Sequence, residues 1–325
     1  MIVDWQHHYV PRAAAEAMGY RPGGQTQMMR NGLSGTTLHD RLYDLDWQLR
    51  EMDEAGIDLA VLTCQLGWDA PLDGVRLIND GLAEAQARYP RRFAGLCHVP
   101  VEAGEGALRE VDRAVDELGL RGINITSQIA DQPLDRPAFR PFFRHAAARG
   151  LAIFIHPASL PAGYEFARDY DLARIVGREF DLALAVTRVI ISGLLEELPD
   201  LKLVFGHFGG GIAAIKERIE AKSFRFGTLQ RPFAESFRRL YFDMAGFEGG
   251  PAALACALTG MAPEQLVFGT DYPQDFTETM TASGQGVRGM ADYVAEVRAL
   301  ALPEATRDAI LGGTALRLLG LASPV

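Results

Sequence analysis

The chain has few cysteines, no excess of positive charge and no long apolar run. Its 325 residues include only three cysteines (Cys64, Cys97 and Cys256), far apart and without a Cys-x-x-Cys pair; this argues against a disulfide framework and favours a reducing cytoplasm. The formal net charge of −10 gives no reason to expect a nucleic-acid partner. No apolar run approaches the roughly 18 residues that span a bilayer, and the opening Met-Ile-Val-Asp-Trp lacks the features of a signal peptide. We therefore expect a cytoplasmic chain with no membrane partner.

Short apolar runs recur eight times along the chain, separated by helical stretches. The runs cover residues 2–6, 57–63, 93–99, 122–126, 152–156, 201–207, 239–244 and 265–271. Several are apolar at consecutive positions, as expected for strands buried on both faces. The alternation predicts an α/β fold, a (β/α)₈ TIM barrel, with residues 1–325 as a single domain. The rival, a doubly wound open sheet, would have to explain eight strands and has no Gly-x-Gly-x-x-Gly fingerprint here.

The predicted helices and loops complete this pattern. Helices are expected at residues 44–55, 107–118, 137–149, 171–198, 250–259 and 290–300. Two longer segments, near residues 19–37 and 272–287, are rich in glycine and polar residues and interrupt the alternation. Both follow a predicted strand, so we expect them at the carboxyl-end face of the barrel, where loops build pockets.

Polar residues stand where several predicted strands end. They are Gln6 and His8 on the first strand, His156 on the fifth, His207 on the sixth and Asp271 on the eighth. In a barrel these ends converge on one pocket. Gln6 and His8 are two residues apart and project to the same side, while His7 should point away.

The residue types at these positions indicate metal chemistry. Imidazole nitrogen and carboxylate oxygen together suit Zn²⁺, Mn²⁺ or Fe²⁺ better than Ca²⁺. The alternative for any single histidine is a hydrogen-bonded core residue. His207 lies in a glycine-rich stretch that allows close backbone approach, and its imidazole can act as an acid or a base.

Ordered motifs along nearly the whole chain give a resemblance. They are Val3-Asp4-Trp5-Gln6-His7-His8-Tyr9-Val10-Pro11, Tyr89-Pro90-Arg91-Arg92-Phe93, Phe154-Ile155-His156-Pro157, Leu198-Pro199-Asp200-Leu201-Lys202-Leu203, Gly206-His207-Phe208-Gly209-Gly210-Gly211, Phe268-Gly269-Thr270-Asp271-Tyr272-Pro273 and Leu311-Gly312-Gly313-Thr314-Ala315. This set resembles the aminocarboxymuconate-semialdehyde decarboxylase branch of the amidohydrolase superfamily.

The resemblance implies a site, a cofactor and a class of reaction. The metal ligands would be Gln6, His8, His156 and Asp271, around one divalent ion, Zn²⁺ first and Mn²⁺ second. Asp271 and His207 would be catalytic, with His207 activating water or protonating the substrate carbon. Most members of the family are non-oxidative decarboxylases of unsaturated or aromatic acids, others are hydratases or hydrolases, and a homodimer is implied.

Departures from the family pattern concern the metal and the substrate. Gln6 stands where the family has histidine or glutamate, and an uncharged amide binds transition metals weakly, so Gln6 could instead hydrogen-bond a metal-bound water. Where the decarboxylase carries an arginine for the substrate carboxylate, this chain has His39, with Arg41 two residues on. We predict substrate contacts from both residues.

Two further residues are predicted to contact the substrate. Arg218 falls where some relatives use an arginine to reach a carboxylate, sometimes across a dimer, although an arginine on a helix surface is more often solvated. Trp68 follows the second strand and would line the pocket, or else pack within its loop.

The leading prediction is a metal-dependent carboxy-lyase acting on a small unsaturated or aromatic carboxylic acid. The first alternative is a hydrolase of a lactone, ester or amide on the same site, possibly without metal. The second is a barrel that binds a ligand without catalysis.

Overall fold

Eight parallel strands, labelled here β1 to β8, form the centre of the molecule. The computed structural model describes residues 1–30, 33–158, 160–227, 229–245, 251–274 and 289–322. The strands are β1 Val3–His8, β2 Leu59–Thr63, β3 Phe93–Gly95 continued by Cys97–His98, β4 Ile123–Thr126, β5 Ala152–His156, β6 Lys202–Phe205, β7 Tyr241–Asp243 and β8 Leu266–Val267. Each lies within or overlaps one of the predicted apolar runs.

The strands pair in chain order and the sheet closes on itself. Parallel ladders join β1 to β2, β2 to β3 and so on to β7 and β8. Between the first and last strands, the Trp5 amide donates to Phe268 O at 2.9 Å and the His8 amide donates to Tyr272 O at 2.8 Å. These bonds complete a (β/α)₈ barrel, as predicted.

The barrel is filled by apolar side chains below a polar upper layer. Val3, Trp5, Val61 and Phe154 belong to a buried cluster inside the strands, and the Trp5 and Phe154 rings meet edge to face at 6.2 Å. The helix Thr314–Leu318 adds Leu316 and Leu318 to the same cluster. The apolar interior ends below the carboxyl ends of the strands, and the polar side chains lie at those ends.

A bulge in β1 sets the direction of its last residues. The pairing of β1 with β2 shifts between Asp4 and His7, so that one extra residue stands in β1. Strict alternation would send Trp5 and Gln6 to opposite faces, whereas the bulge lets both point into the barrel. His7 bonds Asp4 Oδ2 at 2.8 Å and stacks on Tyr272 instead.

Helices cover the outside of the barrel, and the last of them packs against its interior cluster. They are Arg12–Ala17, Leu45–Ala55, Leu72–Arg88, Glu105–Asp116, Arg140–Ala148, Arg178–Ile191, Leu194–Glu197, Ala213–Lys222, Phe233–Phe237, Pro251–Gly260, Met290–Arg298, Glu304–Asp308 and Thr314–Leu318, with π-helical turns at Ala173–Gly177 and Ala309–Gly313. The second helix begins after Asp44, which accepts from the Trp47 amide, and ends at Gly56 in the left-handed conformation. The single helix predicted for residues 171–198 is instead broken at Gly193, whose φ is +73°.

The two predicted loop segments differ in what the structure describes. Within residues 19–37 the strands Thr26–Arg30 and Leu33–Leu38 form an antiparallel hairpin instead of a loop. Arg174 donates to Gly35 O at 2.9 Å and Gln274 donates to Thr37 O at 3.4 Å, so the hairpin lies beside the segments that follow β5 and β8. Most of the 272–287 segment lies outside the described residues. Among the described helices, none has the length and apolarity that crossing a membrane requires.

Candidate metal centre and active site

Three buried side chains bring potential metal ligands together at the carboxyl ends of the strands. His8 is the last residue of β1, His156 is the last residue of β5, and Asp271 follows β8. One ligand atom from each lies within 4.8 Å of the others. Of the four predicted metal ligands, the structure thus brings together the three that have imidazole or carboxylate atoms. The fourth, Gln6, lies beside them, with its Nε2 atom 2.6 Å from Asp271 Oδ1.

The histidines of this cluster present their Nε2 atoms to it. His156 donates from Nδ1 to Pro157 O at 2.8 Å, which leaves Nε2 as its lone-pair nitrogen. That Nε2 atom is buried and has no hydrogen-bond partner among the described residues. Burial, and then the neighbouring His8, hold the pKa of His156 well below its usual value. His156 is therefore neutral, as a metal-binding imidazole must be.

Asp271 is the anionic member of the cluster. Its Oδ1 accepts from His8 Nε2 at 2.7 Å, and the Thr63 hydroxyl bonds the other ring nitrogen of His8 at 2.8 Å. Burial raises the pKa of Asp271, but the hydrogen bond and charge of His8 lower it by more, so the carboxyl group is held ionised. Its backbone is left-handed, with φ of +58°, a conformation that aspartate tolerates better than most residues.

His207 lies beside the cluster, bonded to a carboxylate on its far side. Its Nδ1 donates to Glu179 Oε1 at 2.9 Å, and its Nε2 lies 3.9 Å from Asp271 Oδ2. Burial lowers the pKa of His207, but the Glu179 carboxylate raises it by more, and the net shift is upward. The pair resembles the acid–base and orienting members of a catalytic triad.

The sequence analysis did not identify two carboxylates that hold His207. Glu179 lies in the helix Arg178–Ile191, where nothing in the local pattern distinguishes it from a surface acid. Asp243 ends β7, and its Oδ1 accepts the backbone amides of His207 at 2.9 Å and Ala245 at 3.0 Å. Its place at a strand end was a usable signal. Burial raises the pKa of Asp243 to about 7.

The turn after β6 brings His207 against the helix Arg178–Ile191. Residues 207–211 all have positive φ, between +51° and +71°. A Cβ atom built on Gly210 would lie 1.8 Å from the Glu179 carbonyl oxygen. Only glycine allows this approach, and the approach is what places Glu179 beside the imidazole.

We expect Gly210→Ala to lower the free energy of unfolding strongly. The left-handed backbone costs about 1–2 kcal/mol for a residue with a Cβ, and the forced contact adds about 1–3 kcal/mol. Gly56→Ala is the matched control, because Gly56 has φ of +70° with nothing within 4 Å of the added carbon. Urea unfolding of both variants measures the difference; equal losses would contradict the role assigned to the close contact.

The predicted substrate-binding residues lie in different surroundings. The Trp68 ring stacks on His156 at 4.1 Å, and its Nε1 donates to Asn124 Oδ1 at 3.0 Å. His39 is buried, and its pKa is lowered to about 4 by burial and then by Arg41. Arg41 contacts Glu51 at 3.5 Å and lies over the Trp47 ring. Arg218 is exposed on the helix Ala213–Lys222.

A cavity of about 290 Å³ borders Trp68 at the ends of β3 and β4. Its wall includes Val99, Asn124, Thr126 and Gln128. The volume lies near the lower end of the range for small-molecule sites. Trp68, one of the predicted substrate contacts, therefore both touches the cluster and lines a cavity.

Comparison with known proteins places this arrangement in a family. A family model described as amidohydrolase matches residues 3–321. The 2-amino-3-carboxymuconate-6-semialdehyde decarboxylase of Dictyostelium discoideum is 29% identical over 314 residues, which are 91% of this chain and 82% of that protein.

Solved structures agree with the sequence comparison. The 5-carboxyvanillate decarboxylase of Sphingomonas paucimobilis is 26% identical and superposes with a TM-score of 0.80 over 99% of both chains. A dihydroxybenzoic acid decarboxylase of Polaromonas sp., solved with manganese and 2-nitroresorcinol, is 23% identical, with a TM-score of 0.78 over 99% of this chain and 98% of that one. The predicted barrel and the predicted carboxy-lyase class are confirmed. The chain belongs to the amidohydrolase family.

Proposed function

We propose that this protein is a metal-dependent decarboxylase that releases CO₂ from an aromatic or unsaturated carboxylic acid without oxidation. The observation that carries the proposal is the buried cluster of His8, His156 and Asp271 with the Glu179-bonded His207 beside it. A metal site and an acid–base group on one side of a barrel mouth are the two parts that this reaction needs. The relatives named above are decarboxylases of related acids.

The donor set fits one divalent ion. Two imidazole nitrogens and one carboxylate oxygen suit Zn²⁺, with Mn²⁺ as the second candidate, and the buried Nε2 of His156 without a described partner supports this use. When bound there, the ion supplies Lewis-acid polarisation of the substrate carboxylate or a neighbouring oxygen. His8, His156 and Asp271 would hold it.

His207 supplies the proton in this scheme. Loss of CO₂ from a carboxylate leaves an electron pair on carbon, so one proton must be delivered to that carbon for each CO₂ released. His207 Nε2 faces the cluster, while Nδ1–H is held by Glu179 at 2.9 Å. Glu179 stabilises the imidazolium that forms when Nε2 takes a proton from solvent, and Nε2 then passes that proton to the substrate carbon.

Trp68, His39 and the cavity beside Trp68 would position the substrate. The Trp68 ring is a flat apolar surface next to His156, suited to an aromatic or conjugated acid. His39 has a buried Nε2 with no described partner and is kept neutral, so it can hydrogen-bond a substrate oxygen. Arg41 and Arg218 stay as predicted contacts for the carboxylate, the latter from a second subunit.

Glu179→Gln is expected to lower kcat about tenfold and to leave KM nearly unchanged. A hydrogen bond to a charged group is worth about 1 kcal/mol more than a neutral one, and that difference is lost when imidazolium forms. The matched control is Asp112→Asn, because Asp112 bonds His145 at 2.8 Å on the outside of the barrel. Steady-state kinetics of both variants test the role; an unchanged kcat in the Glu179 variant, or an equal fall in the Asp112 variant, would contradict it.

The decisive experiment measures CO₂ release from a panel of hydroxylated benzoic acids and unsaturated acids. The protein is stripped with a chelator and reloaded with Zn²⁺ or Mn²⁺. Release that appears only on reloading supports the proposal. Turnover of a parallel panel of lactones, esters and amides, with or without metal, would favour the hydrolase instead, and binding without turnover would favour the non-catalytic barrel.

We further propose a cytoplasmic homodimer formed through an exposed apolar face. Phe166, Tyr170, Ile175, Phe180 and Leu184 are between 50% and 101% exposed; apolar side chains clustered on a surface in this way commonly mark an interface. The face adjoins Glu179, so a second copy would cover the helix that orients His207. Sedimentation of Phe166→Ser/Phe180→Ser should give a monomer and Leu77→Ser a dimer; a monomeric parent chain would refute the interface.

The single domain over residues 1–325 and the cytoplasmic location remain proposals of the same kind. The three cysteines are free thiols, two of them buried, which fits a reducing compartment. One cooperative unfolding transition and recovery in the soluble cell fraction are the expected results. Two separate transitions would contradict the single domain, and recovery in an oxidising compartment would contradict the location.

A further inference from the structure

We propose that Gln6 does not bind the metal and instead bridges Asp271 and His207 through the two N–H groups of its amide. The metal would then be held by three residues only: His8, His156 and Asp271. This inference rests on the proposed function, since it assigns a role within the same metal site. It concerns the position where this chain departs from the imidazole or carboxylate that a metal site prefers.

The contacts of the Gln6 amide nitrogen carry the proposal. Its Nε2 atom lies 2.6 Å from Asp271 Oδ1 and 3.3 Å from His207 Nε2. Asp271 Oδ1 also faces His8 Nε2 at 2.7 Å and so acts as an acceptor, and the amide atom 2.6 Å from it is therefore the NH₂ group, not the oxygen. With Nδ1–H of His207 given to Glu179, its Nε2 carries the ring lone pair and accepts the second N–H.

The amide oxygen lies on the other side. Gln6 Oε1 is buried without a hydrogen-bond partner among the described residues. It is 3.5 Å from the position of a Cβ built on Gly206, so it lies near the end of β6. Turning Oε1 toward the cluster would break both N–H contacts and place two oxygens, instead of a donor and an acceptor, next to each other. A neutral amide oxygen offers little metal affinity in return.

The bridge joins five residues of the site into one chain of hydrogen bonds. It runs from Glu179 through His207 to Gln6, and from Gln6 through Asp271 to His8. Gln6 is therefore a positioning residue: before His207 takes up its proton, Gln6 holds the neutral imidazole at a set distance from the Asp271 carboxylate. With three protein ligands, the ion would keep more coordination positions open to substrate and solvent than with four.

Gln6→Leu tests this, because leucine removes the amide and nearly keeps the volume. The dissociation constants of Zn²⁺ and Mn²⁺ are measured by competition with a chromogenic chelator, which requires no turnover. We expect each constant to change less than about threefold, because no ligand is lost, while kcat falls about tenfold and KM changes little, since one orienting hydrogen bond is worth roughly a factor of ten. Weakening of metal binding by tenfold or more in Gln6→Leu would identify Gln6 as a ligand and overturn the proposal.

Two further variants of the chain complete the test. Gln6→Met has the same expectation and serves if the leucine variant does not fold. Gln265→Leu is the matched control: Gln265 is equally a buried amide donor, bonded to Phe237 O and Leu240 O at 2.8 Å each, but away from the cluster, and its loss should leave both metal affinity and kcat unchanged. Absence of Zn²⁺ and Mn²⁺ binding in the parent protein would refute the metal site itself, and this inference with it, whereas a tenfold weakening confined to the Gln6 variants refutes only the inference.

Discussion

Replacing His207 by asparagine is expected to lower kcat by about 10²–10⁴-fold, the usual contribution of a positioned acid–base group. Asparagine fits the space and can still bond Glu179, but it cannot carry a proton. The three metal-ligand candidates are untouched, so metal content should equal that of the parent protein. Discontinuous assays of CO₂ release and elemental analysis of the same preparations measure kcat and metal content.

His145→Asn is the matched control for this loss. His145 is also a histidine bonded to a carboxylate, at 2.8 Å from Asp112, but on the outer helix Arg140–Ala148. Its replacement should leave kcat unaltered. Turnover of the His207 variant at the parent rate would remove His207 from the chemistry and would favour either the metal-only hydrolase or the binding barrel.

Replacing His156 by asparagine is expected to remove the metal and nearly all activity. One of three ligands is lost, and an ion that supplies several kcal/mol of charge stabilisation accounts for a loss of about 10³-fold in kcat at 1.4 kcal/mol per tenfold. Metal bound per chain after gel filtration should fall from about one toward zero, a result that does not depend on knowing the substrate.

His98 provides the comparison for His156. It also ends a barrel strand, β3, and is fully buried. Its Nε2, however, accepts the Cys64 amide at 2.9 Å, and burial lowers its pKa to about 3. His98→Asn should therefore reduce stability by about 1–3 kcal/mol and keep the metal. Retention of metal by the His156 variant, or its loss from the His98 variant, would contradict the assignment.

The barrel could be predicted from the sequence because strands that are buried on both faces have a recognisable local pattern of apolar residues. Strands such as Ala152–His156 are apolar at consecutive positions, and caps such as Asp44 and Gly56 mark a helix at both ends. The hairpin of Thr26–Arg30 and Leu33–Leu38 has no such pattern, since its apolar residues neither alternate with polar ones nor form a continuous run. The break at Gly193 in the helix predicted for residues 171–198 could not be predicted either, because it depends on how this helix packs against the barrel.

Some residues of the candidate site could likewise be predicted from local sequence, and others depend on tertiary contacts. His8, His156, His207 and Asp271 could be found because each stands at or just after the end of a predicted strand, and barrel geometry brings such ends together. Glu179 could not be found, because its contact with His207 depends on the close approach at Gly210, which is a tertiary property. The amide orientation of Gln6 depends on Asp271 and His207 from other parts of the chain and also requires the structure.

The closure of the barrel between β1 and the end of β8 has a consequence for its dynamics. His8 and Asp271, 263 positions apart in sequence, are joined by a side-chain hydrogen bond across this seam. The backbone amides of Trp5 and His8 donate two further hydrogen bonds across it. An ion held by both residues would fasten the first strand to the last, and so would oppose the local opening that lets these amides exchange with solvent. Hydrogen–deuterium exchange at Trp5 and His8 should therefore slow when metal is added, more than at the amides of β4 on the opposite wall.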